Sequence, residues 1–315
     1  MPQVSIHRGR LQLALLDAVV ERLGADAVRT GARLVGFESH EGGARAELDG
    51  DVRSDDADVV VAADGIHSAA RAALHPDEGL PHWSGTVLWR AVSRIEPYLT
   101  GRSMFMAGHR PHKFVGYPIT MPDGDGRCVV NWIAELDRTD VGLRDREDWN
   151  RIGSLDDFAP RFADWCFDWL DVPALIAVGD VVYEFPMVDR DPLPTWIHGR
   201  VALLGDAAHP MYPIGSNGAS QAILDARALA DELSSARAGT CTVDEALAAY
   251  DAQRRPRTAE IVLANRRHGP ERVLDMAEER APGGFADVGS VFAAGELEAI
   301  ADQYKQVAGF GRPGR

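Results

Sequence analysis

The sequence predicts an α/β protein with some α+β character, in which a domain of strands and helices is interrupted by an inserted antiparallel sheet. Residues 9–23 carry apolar side chains at helical spacing, which predicts an amphipathic helix. From about Pro76 to Pro194, strand-like runs alternate with Gly, Pro and Asp turns, which is typical of an antiparallel sheet. After Arg200 the pattern returns to a strand, a loop and long helices. The predicted division is a discontinuous domain at 1–75 and 190–268, a sheet domain at 76–189, and a helical tail at 269–315.

The individual elements follow from the same periodicities. Gly24 is expected to end the first helix, and short strands are expected near 28–38, 44–49 and 58–63. A Trp-rich segment at 155–170 is expected to be helical. The remaining predictions are strands at 86–93, 113–117, 127–133, 180–185 and 201–204, and helices from about Ala219 and around 271–279 and 296–306.

Composition narrows the class of protein. The 315 residues, 45% of them hydrophobic, are typical of a globular chain of about two domains. A net charge of −15 argues against nucleic acid or an anionic membrane as partner. No run approaches about 18 apolar residues, and the first residues form no signal-peptide core. Because Cys128, Cys166 and Cys241 are odd in number and widely spaced, we expect reduced thiols, a cytoplasmic location and no metal site.

The stretch from Arg200 to His209, followed by 213–221, carries the clearest chemistry. The apolar run 201–204 reads as a buried strand that ends at Gly205-Asp206, after which a small-residue loop opens a helix. A carboxylate at the carboxyl end of a strand can accept hydrogen bonds from ribose hydroxyls. The free N–H groups of a helix N-terminus favour an anion or an electron-rich ring. The pattern therefore predicts a nucleotide-cofactor site.

Two motifs in this chain resemble those of a known enzyme family. The Gly205-Asp206 stretch is similar to the second FAD-binding motif of the flavin monooxygenases related to para-hydroxybenzoate hydroxylase. The run from Asp64-Gly65 through Ser68 to Arg71 resembles that family's Asp-Gly motif, which also follows an apolar strand. The amino-acid sequence at 5–8, 117–118, 131–132 and 186–190 most resembles that of the branch that hydroxylates phenazine carboxylates.

The resemblance implies a fold and an activity. It implies an FAD-dependent monooxygenase that hydroxylates a planar aromatic substrate with NAD(P)H and O2 through a flavin C4a-hydroperoxide. The protein then supplies positioning, electrostatics and water exclusion, and we expect no dedicated catalytic acid or base. Two alternatives stay open: a related flavin oxidoreductase that inserts no oxygen, and an inactive fragment that cannot hold FAD.

One expected element has no counterpart in the sequence. The family opens with a βαβ unit that carries Gly-x-Gly-x-x-Gly against the FAD pyrophosphate. The glycine-dense spot Asp123-Gly-Asp-Gly126 lies between strand-like runs and is interpreted as a hairpin turn. We therefore expect an N-terminally truncated FAD-binding domain that lacks its first unit of roughly 30 residues. A truncated reading frame or a miscalled start is preferred over a natural split or degenerate protein.

Each candidate cofactor residue has a simpler reading beside the functional one. Asp206 could be only a helix cap, whereas the resemblance gives it a ribose-type hydroxyl. Asp64 and Arg71 could form a local salt bridge, whereas the resemblance places them near the FAD pyrophosphate and the pyridine nucleotide. His209 is interpreted as a packing residue and Arg8 as a contact to FAD. The predicted cofactor-binding set is Arg8, Gln12, Asp64, Gly65, Arg71, Gly205, Asp206, Pro213, Gly218, Ala219 and Ser220.

The predicted substrate pocket lies on the sheet. An aromatic stripe on a sheet is often core packing, but if the sheet roofs the flavin its inner face would form a flat, dry slot for an aromatic ring. The candidate substrate residues are Trp89, Tyr117, Trp132, Tyr183, Phe185 and Met187. The expected partner is a small aromatic molecule.

Overall fold

The computed structural model describes residues 4–50, 56–110, 112–140, 142 and 150–309. They form two compact units. The described parts of Met1–Thr30 and Gly85–Met187 form the first, called the sheet unit, and those of Gly31–Ser84 and Val188–Arg315 form the second, called the motif unit. This division groups the first helix with the sheet, whereas the sequence analysis assigned it to the discontinuous domain. The chain passes between the two units three times, after Thr30, Ser84 and Met187, and the predicted boundaries at 76 and 189 lie near the second and third of these points.

The first helix of the sheet unit is α1, Arg8–Leu23. It ends as predicted at Gly24, which has φ of 90° and donates its N–H to the carbonyl of Val20 at 3.0 Å. None of the residues of α1 is buried. A short 3₁₀ turn, Ala25–Ala27, follows where the next strand was expected to begin.

A five-stranded antiparallel sheet dominates the sheet unit. Its strands stand in the order β11-β5-β8-β7-β6. The register pairs Trp89 with Ala134, Ala91 with Trp132, and Tyr117 with Asn131. The four strands predicted here are confirmed, and the short strand β6 was missed. The bounds are β5 His82–Ile95, β6 Phe105–His109, β7 His112–Pro118, β8 Cys128–Asp137 and β11 Tyr183–Asp189.

Side-chain alternation gives this sheet two different faces. The core face packs in one buried cluster with the aromatic residues of the 155–170 segment, Phe158 and Phe162 among them. That segment forms 3₁₀ turns at Leu155–Asp157 and Ala159–Phe162, so the prediction of a helix there is wrong. It continues as the two-residue strands β9 Cys166–Phe167 and β10 Leu170–Asp171, followed by helix α3 Val172–Ala177.

The motif unit contains two small sheets. One has the order β1-β2-β3 and the other β12-β13-β4, where β13 runs parallel to β4. Strands were predicted at all three places in 28–63 and at 201–204. The bounds are β1 Leu34–His40, β2 Gly43–Leu48, β3 Asp56–Ala57, β4 Val60–Ala62, β12 Ile197–His198 and β13 Val201–Leu203.

Helices complete the motif unit. The helix predicted from Ala219 is α4, Gly218–Arg237, and it packs against α5, Val243–Arg266. A capping box between Thr242 and Glu245 fixes the start of α5. The remaining helices are α2 Ala69–Leu74, α6 Arg272–Arg280 and α7 Glu296–Val307. The helices predicted in the tail are thus confirmed, and residues 310–315 of that tail lie outside the described residues.

Candidate functional site

The two sequence motifs meet at one edge of a parallel strand pair. Val60 pairs with Val201, and Ala62 pairs with Leu203. Since the carboxyl ends of parallel strands lie at the same edge, the loops that follow β4 and β13 are neighbours. Asp64 and Asp206 follow these strands at that edge, and both side chains are exposed.

The loop after β13 turns sharply at its first residue. Gly205 has φ of 62°, in the left-handed region that favours glycine, and is buried. A 3₁₀ turn, Gly205–Ala207, follows and leaves Asp206 exposed between two buried residues. Asp206 is therefore the residue of this turn whose side chain can reach a ligand.

A buried charged network supports this loop from below. Asp225 of α4 accepts hydrogen bonds from His209 at 2.5 Å, from Arg254 Nε at 2.7 Å, and from the N–H of Gly205 at 3.3 Å. Arg254 also donates to Gln221 Oε1 at 2.7 Å. Burial alone would raise the pKa of Asp225, but its hydrogen bonds and the charges of His209 and Arg254 hold that pKa below its ordinary value. His209 is a packing residue, as predicted, and its ring also lies 5.2 Å from that of Trp196.

The second loop leads into α4. Gly215 and Ser216 both have left-handed backbones, with φ of 70° and 55°, and the latter is strained for a residue with a side chain. Helix α4 then begins at Gly218. Its first N–H groups, like those of any helix, have no intrahelical acceptor, and the side chain of Asn217 does not cap them. A methyl group on Gly218 would lie 4.0 Å from Asp206 Oδ1, which places the carboxylate beside this helix start.

The other predicted residues of this loop lie on its accessible side. Pro213 and Ala219 are exposed, and Ser220 is partly buried. The small residues at 218–220 leave the uncapped helix start open to a flat ligand. The structure thus brings Gly205, Asp206 and the start of α4 together.

The Asp64-Gly65 motif has a clear local role. Asp64 Oδ2 accepts the N–H of Ala69 at 2.7 Å, and Ser68 caps α2 by accepting the N–H of Arg71 at 2.9 Å. Gly65 has φ of 81° at the turn between strand and helix. Asp64 does not pair with Arg71, so the simpler reading of a local salt bridge is wrong.

Arg71 is buried among protein partners, which favours a structural role over the predicted contact to a pyridine nucleotide. Its guanidinium is buried and donates to the carbonyls of Ala207 at 3.1 Å, Ala208 at 2.8 Å and Asp191 at 2.9 Å. The remaining N–H groups bind Glu78, with Nε to Oε2 at 2.8 Å. Arg71 therefore ties the Asp-Gly motif to the backbone of the loop that carries Asp206.

Glu78 is the counter-ion that makes the burial of Arg71 possible. It also accepts from Arg190 Nη1 at 3.0 Å, and Arg190 Nε donates to the carbonyl of Ile66 at 3.2 Å. Partial burial would raise the pKa of Glu78, but the hydrogen bonds of Arg71 and the charges of both arginines lower it. This ion cluster is structural.

Arg8 and Gln12 lie one turn apart at the start of α1, and both are exposed. Arg8 is close enough to Arg90 of β5 for its positive charge to help lower the pKa of that residue. The predicted contact of Arg8 and Gln12 with FAD stays a prediction.

The second face of the five-stranded sheet carries a charged residue that the sequence analysis did not select. Arg90 is partly buried and donates from Nε to Asn131 Oδ1 at 2.7 Å. Burial is the main cause that lowers the pKa of Arg90, and among the described residues no carboxylate pairs with it. The amide nitrogen of Asn131 is buried and has no hydrogen-bond acceptor within the described ranges. We call the face on which these two side chains lie the Arg90 face.

The predicted substrate residues divide between the two faces. The register places Trp89 and Trp132 on the core face, where both are fully buried, and this favours core packing over the predicted substrate contact. Trp89 donates to Glu184 at 2.9 Å, and Trp132 donates to Ser93 at 2.8 Å. Glu184 of β11 lies on the core face with Trp89, so the residues that alternate with it lie on the Arg90 face. Tyr117 lies on the Arg90 face as well, because it pairs with Asn131. The predicted substrate residues on this face are Tyr117, Tyr183, Phe185 and Met187.

Among the described residues no group of three or more His, Cys, Asp or Glu side chains is arranged to hold a metal ion. In the same part of the chain, no helix combines the length and the apolar character needed to cross a membrane.

Part of the motif unit and the fold of the chain are similar to those of known FAD-binding proteins. Residues 188–265 match the FAD binding domain family. They contain β13, the loop that follows it, the loop that leads into α4, all of α4 and most of α5. The fold agrees: the Klebsiella pneumoniae protein HpxO, crystallised with FAD and uric acid, aligns with a TM-score of 0.68 at 24% identity, over 92% of this chain and 71% of that one.

Relatives then identify the family. The phenazine 1,6-dicarboxylic acid hydroxylase of Lysobacter antibioticus is 48% identical over 274 residues, which are 84% of this chain and 66% of the relative. The 3-amino-4-hydroxybenzoate 2-monooxygenase of Streptomyces platensis is 34% identical over 86% of this chain and 64% of the relative. The chain belongs to this family of FAD-dependent aromatic hydroxylases, and it spans just under two thirds of the length of these relatives.

The residues at the strand edge fit the isoalloxazine and ribityl half of FAD. An exposed carboxylate, an uncapped helix start and small residues at 218–220 are the donor and acceptor set that such a group requires. The prediction of FAD as cofactor is confirmed by the family match.

Proposed function

We propose that the chain functions as an FAD-dependent monooxygenase that hydroxylates a planar aromatic acid with NAD(P)H and O2. The observation that carries the proposal is the exposed Asp206 beside the uncapped start of α4, within residues that match the FAD binding domain family. FAD held by these residues would supply the redox chemistry of a monooxygenase, in which NAD(P)H is the reductant and one atom of O2 enters the ring while the other leaves as water.

The residues of the motif unit would bind and orient this cofactor. Asp206 would accept hydrogen bonds from ribityl hydroxyls, since a carboxylate is a strong acceptor for O–H donors. The first N–H groups of α4, from Gly218 onward, would stabilise the electron-rich edge of the reduced ring through the positive end of the helix dipole. Arg71 and Asp225 would act only through the backbone that they hold, since neither side chain is exposed.

The Arg90 face would bind the substrate. A partly buried guanidinium without a carboxylate partner among the described residues favours an anion, and the free N–H of Asn131 beside it supplies a second donor. Tyr117, Phe185 and their neighbours on that face would contact the aromatic ring. The names of three relatives, which specify phenazine 1,6-dicarboxylic acid, 3-amino-4-hydroxybenzoate and salicylate, agree with a carboxylated ring.

The first test concerns the cofactor. Titration with FAD, followed by quenching of flavin fluorescence, gives a dissociation constant for the wild type. Asp206→Asn should raise that constant about tenfold or more, because it replaces a charge-assisted hydrogen bond with a neutral one. Asp231→Asn, which alters an exposed carboxylate farther along α4, is the matched control and should leave the constant unchanged. Equal affinities for all three proteins would contradict the assignment of Asp206.

Labelled oxygen separates the proposal from its alternative. An oxygen atom from ¹⁸O₂ in the product indicates a monooxygenase, whereas a product without label supports a flavin oxidoreductase that inserts no oxygen. No quenching at any flavin concentration would support the second alternative, a chain that does not hold FAD. The partner proposed is a small aromatic molecule, and the proposed location is the cytoplasm, where the free thiols Cys128, Cys166 and Cys241 would stay reduced.

A further inference from the structure

Tyr304, in the tail helix α7, contacts the loop that leads into α4. Its hydroxyl accepts a hydrogen bond from Asn217 Nδ2 at 2.6 Å and donates to Asn265 Oδ1 at 2.8 Å. The carbonyl of Ile214 lies 3.3 Å from the same hydroxyl. One tyrosine thus joins the tail, the loop and helix α5, all of which lie in the motif unit.

Two glycines make room for the Tyr304 ring. A methyl group on Gly215 would lie 2.3 Å from the hydroxyl oxygen, and one on Gly269 would lie 2.8 Å from Cε2. Both glycines have positive φ, of 70° and 44°. The ring therefore fills a space that only residues without side chains leave open, directly against the strained part of the loop.

The neighbours of Tyr304 extend the contact to both ends of the loop. Asn265 is fully buried and donates from Nδ2 to the carbonyl of Tyr212 at 3.0 Å, just before Pro213. At the other end, Gln221 of α4 donates to the carbonyl of Ala308, at the end of α7, at 3.1 Å. The loop is held at its start, its middle and its end.

The Tyr304 hydroxyl stays neutral in this environment. Burial is the main cause that raises the pKa of Tyr304 to about 12, and the nearby Glu271 adds to it. At neutral pH the hydroxyl therefore both donates and accepts, as the two asparagine contacts require.

We propose that Tyr304 is a positioning residue that fixes the loop 213–218 in its flavin-binding conformation, so that the C-terminal helix α7 controls the affinity and environment of the flavin. The inference rests on the proposed function for the role of the loop. The left-handed backbone of Ser216 is unfavourable by itself and needs surrounding contacts to persist, and Tyr304 hydrogen-bonds to Ile214 and Asn217 on either side of it. Without the hydroxyl, Asn217 and Asn265 each lose a buried partner and the loop should open.

The test compares Tyr304→Phe with Tyr98→Phe in the full chain. Tyr98 is a suitable control because its buried hydroxyl also donates to a neutral oxygen, the carbonyl of Ser103 at 2.9 Å, but in the sheet unit. Amide hydrogen exchange of the segment 211–218 is measured without flavin. The dissociation constant of FAD and the visible circular dichroism of the bound flavin are measured with it.

Tyr304→Phe should increase exchange in 211–218 and the FAD dissociation constant about tenfold each, and should change the visible circular dichroism. Tyr98→Phe should lower the melting temperature to a similar extent but change none of these three. Unchanged exchange in Tyr304→Phe, or faster exchange with unaltered flavin affinity and circular dichroism, would overturn the inference. A wild type that binds no FAD would instead refute the proposed function, and the exchange arm would still decide whether Tyr304 fixes the loop.

Discussion

Asp225 is a buried carboxylate that supports the loop after β13 from below. It accepts from His209, Arg254 and the N–H of Gly205, and it is fully buried. Since removal of one partner from a buried ion pair leaves an uncompensated charge, its loss should be costly. The same network gives the loop a defined dependence on pH.

We predict that Asp225→Asn lowers the free energy of unfolding at pH 7 by about 3 kcal/mol, measured by urea denaturation. The folded-state pKa of Asp225 is lowered, so its contribution is complete above the unfolded value of about 4 and is lost as the pH falls through the folded value. The difference between wild type and variant should therefore shrink below about pH 4. Asp231→Asn, at an exposed pair with Arg227, should leave the free energy of unfolding essentially unchanged at any pH. A constant difference across the acid range would contradict this account.

Residue roles could be predicted where backbone position alone decides them. Asp206 and Asp64 follow apolar runs that had to be strands, so their place at the strand edge could be read from the sequence. Arg71 could not be assigned in this way, because its partners Glu78 and the carbonyl of Ala208 depend on tertiary contacts. The contacts of Tyr304 could not be predicted either, since a tyrosine in an amphipathic helix cannot be told from an ordinary packing residue by its sequence position.

At the scale of the element, the loop 213–218 requires a glycine at position 215. Gly215→Ala should weaken FAD binding by more than tenfold, because the methyl group adds a 2.3 Å contact with Tyr304 to the strain of a φ of 70°. Gly239→Ala is the control, since Gly239 has a φ of 74° and no atom within 4 Å of the added methyl group.

Both glycine variants should lose about 1 kcal/mol of stability from backbone strain, and Gly215→Ala should lose more because its methyl group also meets Tyr304, as measured by thermal unfolding. Flavin titration should separate them, since the Gly239→Ala protein should bind FAD like the wild type. If the two variants lost affinity equally, the effect would be one of global stability and not of the loop.

Elements were predictable when their periodicity was clean. The alternating strands β5, β7 and β8 and the amphipathic α1 lie where the sequence placed them. The 155–170 segment failed because its aromatic residues fill the core of the sheet unit through 3₁₀ turns, and tertiary packing overrode helical spacing. The division of aromatic residues between two sheet faces also required the register, which places Trp89 and Trp132 in the core.

At the scale of the whole molecule, the proposed function gives each of the two units its own ligand. The motif unit carries the strand edge with Asp206 and the Tyr304 contact, and the sheet unit carries the Arg90 face. The sequence predicted an inserted sheet within a discontinuous domain from a change of composition alone. It could not identify Arg90, although a lone arginine within the apolar run Leu88–Val92 was the signal that pointed to it.

This separation predicts that cofactor and substrate affinity can be altered independently. Arg90→Gln should weaken binding of an aromatic carboxylate, with 3-amino-4-hydroxybenzoate as the probe, about tenfold or more, because it removes the cation of a charge-assisted hydrogen bond. It should leave the FAD dissociation constant unchanged, whereas Asp206→Asn should do the reverse. Binding of the probe is measured by calorimetry, and FAD binding by fluorescence.

Arg94→Gln provides the matched control on the same strand, because Arg94 is exposed and already pairs with Asp123 and Asp125. Its loss should affect neither ligand. A probe without a carboxylate, such as 2-aminophenol, should bind the wild type and Arg90→Gln alike, since the guanidinium then has no anion to pair with. If Arg90→Gln weakened both probes equally, the residue would shape the sheet and not recognise the carboxylate, and the proposed substrate class would have to be abandoned while the assignment of the flavin loop would stand.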